Sequence, residues 1–306
     1  MGSALAETGV PVWLINRRVG HVEAIRRRGL RVRDGAREID VRVAAASDAA
    51  QVRAEAGTMD LVVVLVKSFH TRQAMTEALP LVGPQTAVLT LQNGLGHEEL
   101  LAEVVGPQRV LAGKTYCGGV MLGEGHVART LQGRETIIGE LDGSVSARVQ
   151  EVAQVFGGAG IATQVSSNIV GAMWDKLFVN VATGALSAIT RLDYGGLYSA
   201  PEVEACALAA VAEAMRVARA QGVRISSDDP RQSWAKAAAG LPSAFKASML
   251  QSLEKGSVTE IDFVNGAVVE QGRRVGIPTP VNQTLVACVK GIERALPSSA
   301  GASTRH

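Results

Sequence analysis

The 306-residue sequence predicts a parallel α/β domain followed by an all-α domain. Up to about residue 166, short apolar runs alternate with stretches of helical period, as in strands joined by right-handed helical crossovers. Beyond that point the strand-like runs stop, and helix-period segments follow one another, broken at Gly or Pro. Hydrophobic residues make up 47% of the chain, enough to fill two cores at this length.

The elements follow in order. Pro11 to Ile15 is a short strand, and Val19 to Arg28 an amphipathic helix stopped by Gly29. Ile39 to Ala45 alternates like a strand. The almost wholly apolar, β-branched run Asp60 to Val66 is a strand covered on both faces. Thr71 to Leu81 is helical, Ala87 to Leu91 another buried strand, and Gly96 to Val105 another helix. The glycine-rich segment 109–140 supplies further strands that close the sheet, before a helix at 145–157 and a strand near 161–165. The second domain, 167–296, carries helices over Ile169 to Ile189, Glu202 to Gln221, Pro230 to Ala239, Ala247 to Leu253, Glu260 to Val275 and Val281 to Ala295. The small, polar stretch 297–306 is expected to be disordered.

Composition excludes several classes. The net charge is +2 with Lys and Arg scattered, so neither nucleic acid nor an anionic membrane is an expected partner. Arg26-Arg27-Arg28 is the solvated end of a helix. Cys117, Cys206 and Cys288 have neither metal-ligand spacing nor a disulfide framework, which fits a reducing cytoplasm. No apolar run reaches the roughly 18–20 residues of a membrane span. The first residues lack the basic and apolar segments of a secretory signal.

A dinucleotide-binding sheet begins with a strand, then G-x-G-x-x-G, then a helix. Here Met1-Gly2-Ser3-Ala4 stands before the strand ending at Ile15, so Gly2 takes the place of the third glycine. The expectation is that the first strand and the two phosphate-contacting glycines precede Met1. The alternative is that Met1 opens an unrelated short helix. Where an acid would bind the ribose hydroxyl of NAD, Arg17 and Arg18 offer cations suited to the 2′-phosphate of NADP. A solvated turn arginine is the competing reading of Arg17.

Open parallel sheets bind ligands beyond the carboxyl ends of their strands. Lys67 follows one buried strand there, and Gln92-Asn93-Gly94-Leu95-Gly96 follows another. Lys67 is either a ligand contact or a lysine snorkelling to water. The Asn-Gly pair is either a plain turn or an amide on a backbone that permits close approach.

In the first long helix of the second domain, Lys176 and Asn180 are four residues apart on one face, beside apolar Met173, Leu177 and Val181. Desolvation of such a lysine lowers its pKa, the direction that suits a proton donor. A lysine at the stripe's edge, paired with Asp175 or Asp193, is the alternative. Glu260 and Asp262 are expected at the start of a helix, where carboxylates also favour its dipole.

These pieces together resemble the ketopantoate reductase (2-dehydropantoate 2-reductase) family, from Gly2 to about Asn282. The resemblance rests on Gly2-Ser3, Arg17, Val66-Lys67, Gln92 to Gly96, Trp174-Asp175-Lys176-Leu177 with Asn180, Ser248-Met249-Leu250-Gln251, Thr259-Glu260-Ile261-Asp262 with Asn265-Gly266, and Gly276 to Pro280. It implies a Rossmann-like NADP-binding domain, a helical domain akin to the C-terminal fold of 6-phosphogluconate dehydrogenase, and NADPH-dependent reduction of a 2-oxo acid. Reduction of 2-dehydropantoate to pantoate, in pantothenate biosynthesis, is the implied reaction.

By matching position, Lys176 is implied as general acid. Asn93 and Asn180 are implied to orient substrate. Ser248 and the backbone of Met249, Leu250 and Gln251 are implied to bind its carboxylate. Glu260 would lie near cofactor and substrate hydroxyl, and Gly2, Arg17, Lys67, Asn93 and the backbone of Gly119 near the cofactor. A cytoplasmic protein without metal is expected, with a homodimer left open and the oligomeric state not given by the sequence.

Three positions depart from the family pattern, where asparagine or aspartate is usual: Gly184, Tyr194 and Ser252. They keep open a reductase of a bulkier or less hydroxylated 2-oxo acid, and a ligand-binding relative without catalysis.

Overall fold

The computed structural model describes residues 1–297 and forms two compact units. One holds Met1–Gln92 and His97–Ile169. The other holds Asn93–Gly96 together with the chain from Val170 onward. Apart from Pro297, the stretch expected to be disordered lies outside the described residues.

The first unit runs α1 (Gly2–Glu7), β1 (Trp13–Ile15), α2 (Val19–Arg28), β2 (Leu30–Asp34), β3 (Arg37–Val41), β4 (Ala44–Ala46), α3 (Ala49–Ala56) and β5 (Met59–Val64). It continues through α4 (Thr71–Ala78), β6 (Val82–Thr90), α5 (His97–Val105), β7 (Val110–Thr115), β8 (Gly118–Gly123), β9 (His126–Thr130), β10 (Thr136–Glu140), α6 (Ala147–Gly158) and β11 (Thr163–Val165). The main sheet has the order β11-β10-β7-β6-β5. Strands β5, β6 and β7 are parallel, and β10 joins antiparallel to β7.

The β-branched runs settle as buried strands because both faces are covered. On one face Leu89, Leu111 and Ile138 pack with Phe156 and Ile161; on the other Val88 and Val110 pack with Met75 and Leu101. Neighbours in the chain thus feed opposite cores, as the period of two dictates. Each such side chain contributes roughly 1.5–3 kcal/mol by leaving water. β1 pairs in parallel with β4, and β1 and β5 each stand at the edge of their sheet.

Three sequence expectations need correction here. The strand expected over 39–45 is split between β3 and β4, and β2 pairs with β3 in a hairpin turned at Gly35, whose φ is +61°. The segment 109–140 does not all close the main sheet. Its β8 and β9 join β2 and β3 in a separate sheet of order β3-β2-β9-β8. Helix α4 ends at Ala78, and Pro80 lies in a following 3-10 turn.

The second unit is helical: α7 (Ile169–Thr190), α8 (Tyr194–Tyr198), α9 (Pro201–Ala220), α10 (Pro230–Ala238), α11 (Ser248–Glu254), α12 (Asn265–Arg274) and α13 (Pro280–Arg294). Helix α9 packs against α8, α10, α12 and α13. Its buried stripe, Ala207, Ala210, Val211, Ala214, Val217 and Ala218, recurs at helical spacing with side chains small enough for close approach.

Helix α12 does not begin at Glu260 as expected. Residues Ile261–Phe263 form a 3-10 turn, and the backbone of Val264 (φ −109°, ψ −91°) breaks it from α12. Glu260 therefore sits in a turn ahead of the helix, so the expected favourable helix dipole does not account for it.

Candidate functional site

In the α/β unit, Arg17 and Lys67 lie beyond strand ends, Gly2 opens a helix and Gly119 lies within a strand. β1 ends at Ile15, and Arg17 lies just beyond it; its guanidinium stands 3.8 Å from Glu77, with both side chains more than half exposed. At that exposure the pair contributes at most about 1 kcal/mol. Gly2 opens α1, and a Cβ there would lie 2.7 Å from Leu14 Cδ2, so helix and strand meet closely at this glycine. Gly119 lies within β8, an edge strand exposed along its whole length.

β5 stops at Val64, so exposed Lys67 lies three residues past the strand rather than directly on it. Sequence reasoning missed what holds that loop. The Gln92 amide, at the end of β6, donates to Val66 O (2.8 Å) and to Thr71 Oγ1 (2.9 Å), and its oxygen accepts from Thr90 Oγ1 (3.1 Å). Thr71 Oγ1 also meets His97 Nδ1 at 3.2 Å. This buried polar network ties the loop before α4 to the end of β6. The signal was a glutamine directly after a buried strand.

In the helical unit, Lys176 and Asn180 occupy one face of α7. Lys176 is only 9% exposed, among fully buried Leu177, Phe178 and Val181, while Asn180 is half-buried. The two acids considered as its partners are bonded elsewhere as well: Asp175 accepts from Ser226 N (3.0 Å) and Asp193 caps α8 through Gly196 N (2.9 Å).

One turn beyond Asn180 stands Gly184, in mid-helix, where glycine costs about 1 kcal/mol relative to alanine. Met249 explains the room it leaves. A Cβ on Gly184 would lie 3.2 Å from Met249 Cε and 3.4 Å from its sulfur. The start of α11 is thereby brought onto the same helix as Lys176 and Asn180. Of the four residues expected there, Ser248 is exposed and Met249 lies over Gly184. Leu250 is fully buried, so its side chain is core. Gln251 is engaged locally, its amide donating to Lys246 O (2.8 Å) and its N–H to Ala247 O (3.1 Å).

The turn carrying Glu260 is fastened from behind by α13. Glu293, with a side chain 6% exposed, accepts from both Thr259 N (2.6 Å) and Thr259 Oγ1 (2.7 Å). Asp262 pairs with Lys290. Burial opposes the Lys290 ammonium, but Asp262 and Glu293 outweigh it and raise its pKa. The loop Asn93–Gly96 rests on the same turn: Leu95 N donates to Phe263 O (3.0 Å). Gly94, at φ +98°, brings its backbone so near Phe263 O that no Cβ would fit. Asn93 and Glu260 are therefore held through one short segment.

At its other end α13 is capped by a buried acid that the sequence reading overlooked. Glu213 accepts from Val281 N (2.9 Å) and Asn282 N (3.0 Å), and Asn282 accepts from Asn265 Nδ2 (3.0 Å). An acid inside the alanine stripe of α9 was the available signal.

Among the described residues, no group of three or more His, Cys, Asp or Glu side chains could hold a metal, and no helix is long and apolar enough to cross a membrane.

Two family models match the chain. One, described as ketopantoate reductase PanE/ApbA, spans residues 1–143, and its C-terminal counterpart spans residues 168–293. The 2-dehydropantoate 2-reductase of Halobacterium salinarum is 38% identical over 96% of this chain and 95% of its own length. That of Pyrococcus horikoshii is 32% identical over 96% and 93%. The crystal structure of a PanE/ApbA family ketopantoate reductase from Ralstonia eutropha superposes with a TM-score of 0.86 at 36% identity, covering 96% of this chain and 94% of the other.

Proposed function

The chain belongs to the ketopantoate reductase family, and on that premise we propose that it reduces a 2-oxo acid to the 2-hydroxy acid with NADPH, 2-dehydropantoate being the first substrate to test. The observation that carries this reading is Lys176, a residue only 9% exposed on a largely apolar helix face, one turn from Asn180.

When bound, the nicotinamide supplies the hydride to the carbonyl carbon. Lys176 stabilises the charge growing on the carbonyl oxygen and then gives that oxygen its proton, leaving a neutral amine that water reprotonates. Its apolar surroundings strengthen that charge interaction by excluding water. Asn180 and Asn93 orient the acid through their amides. Ser248 and the backbone at the start of α11 receive its carboxylate; the packing of Met249 on Gly184 supports this, since it carries Ser248 to the helix of Lys176. Gln251 has a smaller part than the sequence suggested, because its donors serve its own helix. Glu260 approaches the substrate hydroxyl from a turn braced by Glu293 and Lys290.

The residues present fit a phosphorylated dinucleotide. Gly2 allows the close helix–strand approach of such sites, and a Cβ there would strike Leu14. Arg17 offers a guanidinium just beyond β1, where a 2′-phosphate is met, Lys67 stands exposed on the loop after β5, and the Gly119 backbone lies on the exposed strand β8.

The test mixes the chain with NADPH and 2-dehydropantoate and follows loss of NADPH absorbance, with NADPH fluorescence reading binding separately. Turnover that Lys176→Ala abolishes, with NADPH still bound, is expected. Binding with no turnover of any 2-oxo acid would favour a ligand-binding relative.

A further inference from the structure

From the amide network at the start of α12 we infer that Asn265 is a positioning residue: it fixes the turn that carries Glu260 and supports the Asn93 loop, and it does so at no net gain in stability. The inference rests on the reductase reading above and adds to it a residue that touches neither substrate nor cofactor.

Counting protons fixes the arrangement of the network. The Glu213 carboxylate and Ala210 O accept from Asn282 Nδ2, at 2.8 and 3.0 Å, and so take both of its hydrogens. Asn282 must then turn its Oδ1 towards Asn265, which meets it with Nδ2 at 3.0 Å. That orientation leaves the Oδ1 of fully buried Asn265 without a hydrogen-bond partner. Reversing the Asn265 amide would set two oxygens face to face. A buried acceptor left unpaired is penalised at least as much as the hydrogen bond at the other end of the amide returns. Stability alone therefore gives no reason for an asparagine here.

Position does. Asn265 follows directly on Val264, whose backbone separates the turn Ile261–Phe263 from α12. At the far end, Thr259 Oγ1 accepts from Ile261 N (3.2 Å) and donates to Glu293 (2.7 Å). Asn282 and Glu293 both belong to α13, so the two ends of segment 259–265 are fastened to one helix, with the Asp262–Lys290 pair between them. Two groups ride on that segment. One is Glu260; the other is Phe263 O, which receives Leu95 N (3.0 Å) from the Asn93 loop. Cutting the tie at Asn265 frees one end of the segment and lets both move.

The experiment separates stability from turnover. Leucine is close to asparagine in shape and cannot donate. Asn265→Leu removes one unpaired buried oxygen, its own Oδ1, and creates another, Asn282 Oδ1, so the urea midpoint should stay near that of wild type. With 2-dehydropantoate and saturating NADPH, kcat per folded molecule should nevertheless fall about tenfold, because the reacting groups are displaced. The Kd for NADPH, read by fluorescence, should stay within about twofold. Val268→Ala, in the buried face of the same helix, is the control: it should lower the urea midpoint and leave kcat unchanged.

Asn265→Leu with kcat within twofold of wild type overturns the inference and leaves the reductase reading intact. So does a loss of kcat that follows the loss of stability equally in both variants, since Asn265 would then be a structural residue only. If Asn265→Leu fails to fold, the claim of no net stability gain is refuted, and the smaller Asn265→Ala decides the positioning role by the same kcat comparison. No reduction of any 2-oxo acid by folded wild type overturns both the inference and the reading it rests on.

Discussion

The two lysines singled out by the sequence stand in opposite settings. Lys176 is nearly buried in the middle of a long helix, whereas Lys67 is exposed on a loop beyond a strand. The same contrast runs through their neighbours. In the helical unit the turn of Glu260 is braced by a helix anchored at both ends. In the α/β unit, Arg17 and Gly119 stand on exposed edges. On the proposed roles, the difference fits a division of tasks. A group that gives a proton at a defined point gains from a dry, rigid setting. A group that meets a phosphate works as a charge in water and needs less surrounding structure.

Removing the nearly buried lysine should break this contrast most severely. Lys176→Ala should lower kcat by roughly 10²–10⁴-fold, the usual range for a positioned proton donor, while NADPH binding by fluorescence stays within about twofold of wild type. Lys67→Ala should alter chiefly the KM for NADPH. Equal losses of kcat in the two variants would erase the distinction drawn between them.

The wet side has its own, smaller signature. A charge-assisted hydrogen bond to a phosphate is worth about 1.5–3 kcal/mol, so Arg17→Ala should reduce the preference for NADPH over NADH roughly 10- to 100-fold in kcat/KM. If the ratio is unchanged, Arg17 is a solvated turn residue near Glu77 and no more.

Glu293 sharpens the comparison from behind. Glu293→Ala leaves the N–H and hydroxyl of buried Thr259 without their acceptor, which should cost about 1–3 kcal/mol in urea unfolding. If the brace also positions Glu260, kcat should fall about tenfold, and Glu293→Gln, which keeps an acceptor oxygen, should recover most of it. A stability loss with unchanged kcat would leave Glu293 a structural residue only.

How much of this was legible in the sequence depends on the range of the cause. The buried strands of the main sheet and α7 were readable because their apolar periods are local and long. The β2–β3 hairpin was not recognised as such. Its outward residues form cross-strand pairs, Arg31 with Asp40 and Arg33 with Glu38, which in sequence look like any solvated charge. The sequence around Glu260 suits a helix; the break at Val264 stands next to Phe263, on which the Asn93–Gly96 loop rests, a contact between distant segments. The Lys176–Asn180 face followed from spacing alone. Met249 over Gly184, Gln92 beneath the Lys67 loop and Glu293 behind Thr259 did not, since each joins residues that only the fold brings together.

The smallest effect concerns the α/β unit away from any site. Glu140, at the end of β10, accepts from Arg148 Nε at 2.7 Å and from Ser146 Oγ. Burial pushes its pKa up, but the hydrogen bonds of Arg148 and Ser146, with the Arg148 charge, outweigh this and hold it below the usual 4.5. A carboxyl with a depressed folded pKa stabilises at pH above its unfolded value and loses that contribution as pH falls through the folded one. The Tm difference between wild type and Glu140→Gln should therefore be full at pH 6 and shrink progressively below pH 4.5. Because Arg148 also donates to Gln108 O, part of its anchoring survives the substitution, so the difference should be only a few degrees. A difference that stays constant from pH 6 to pH 3 would mean that the packing of this corner, rather than the carboxylate charge, holds β10 to α6.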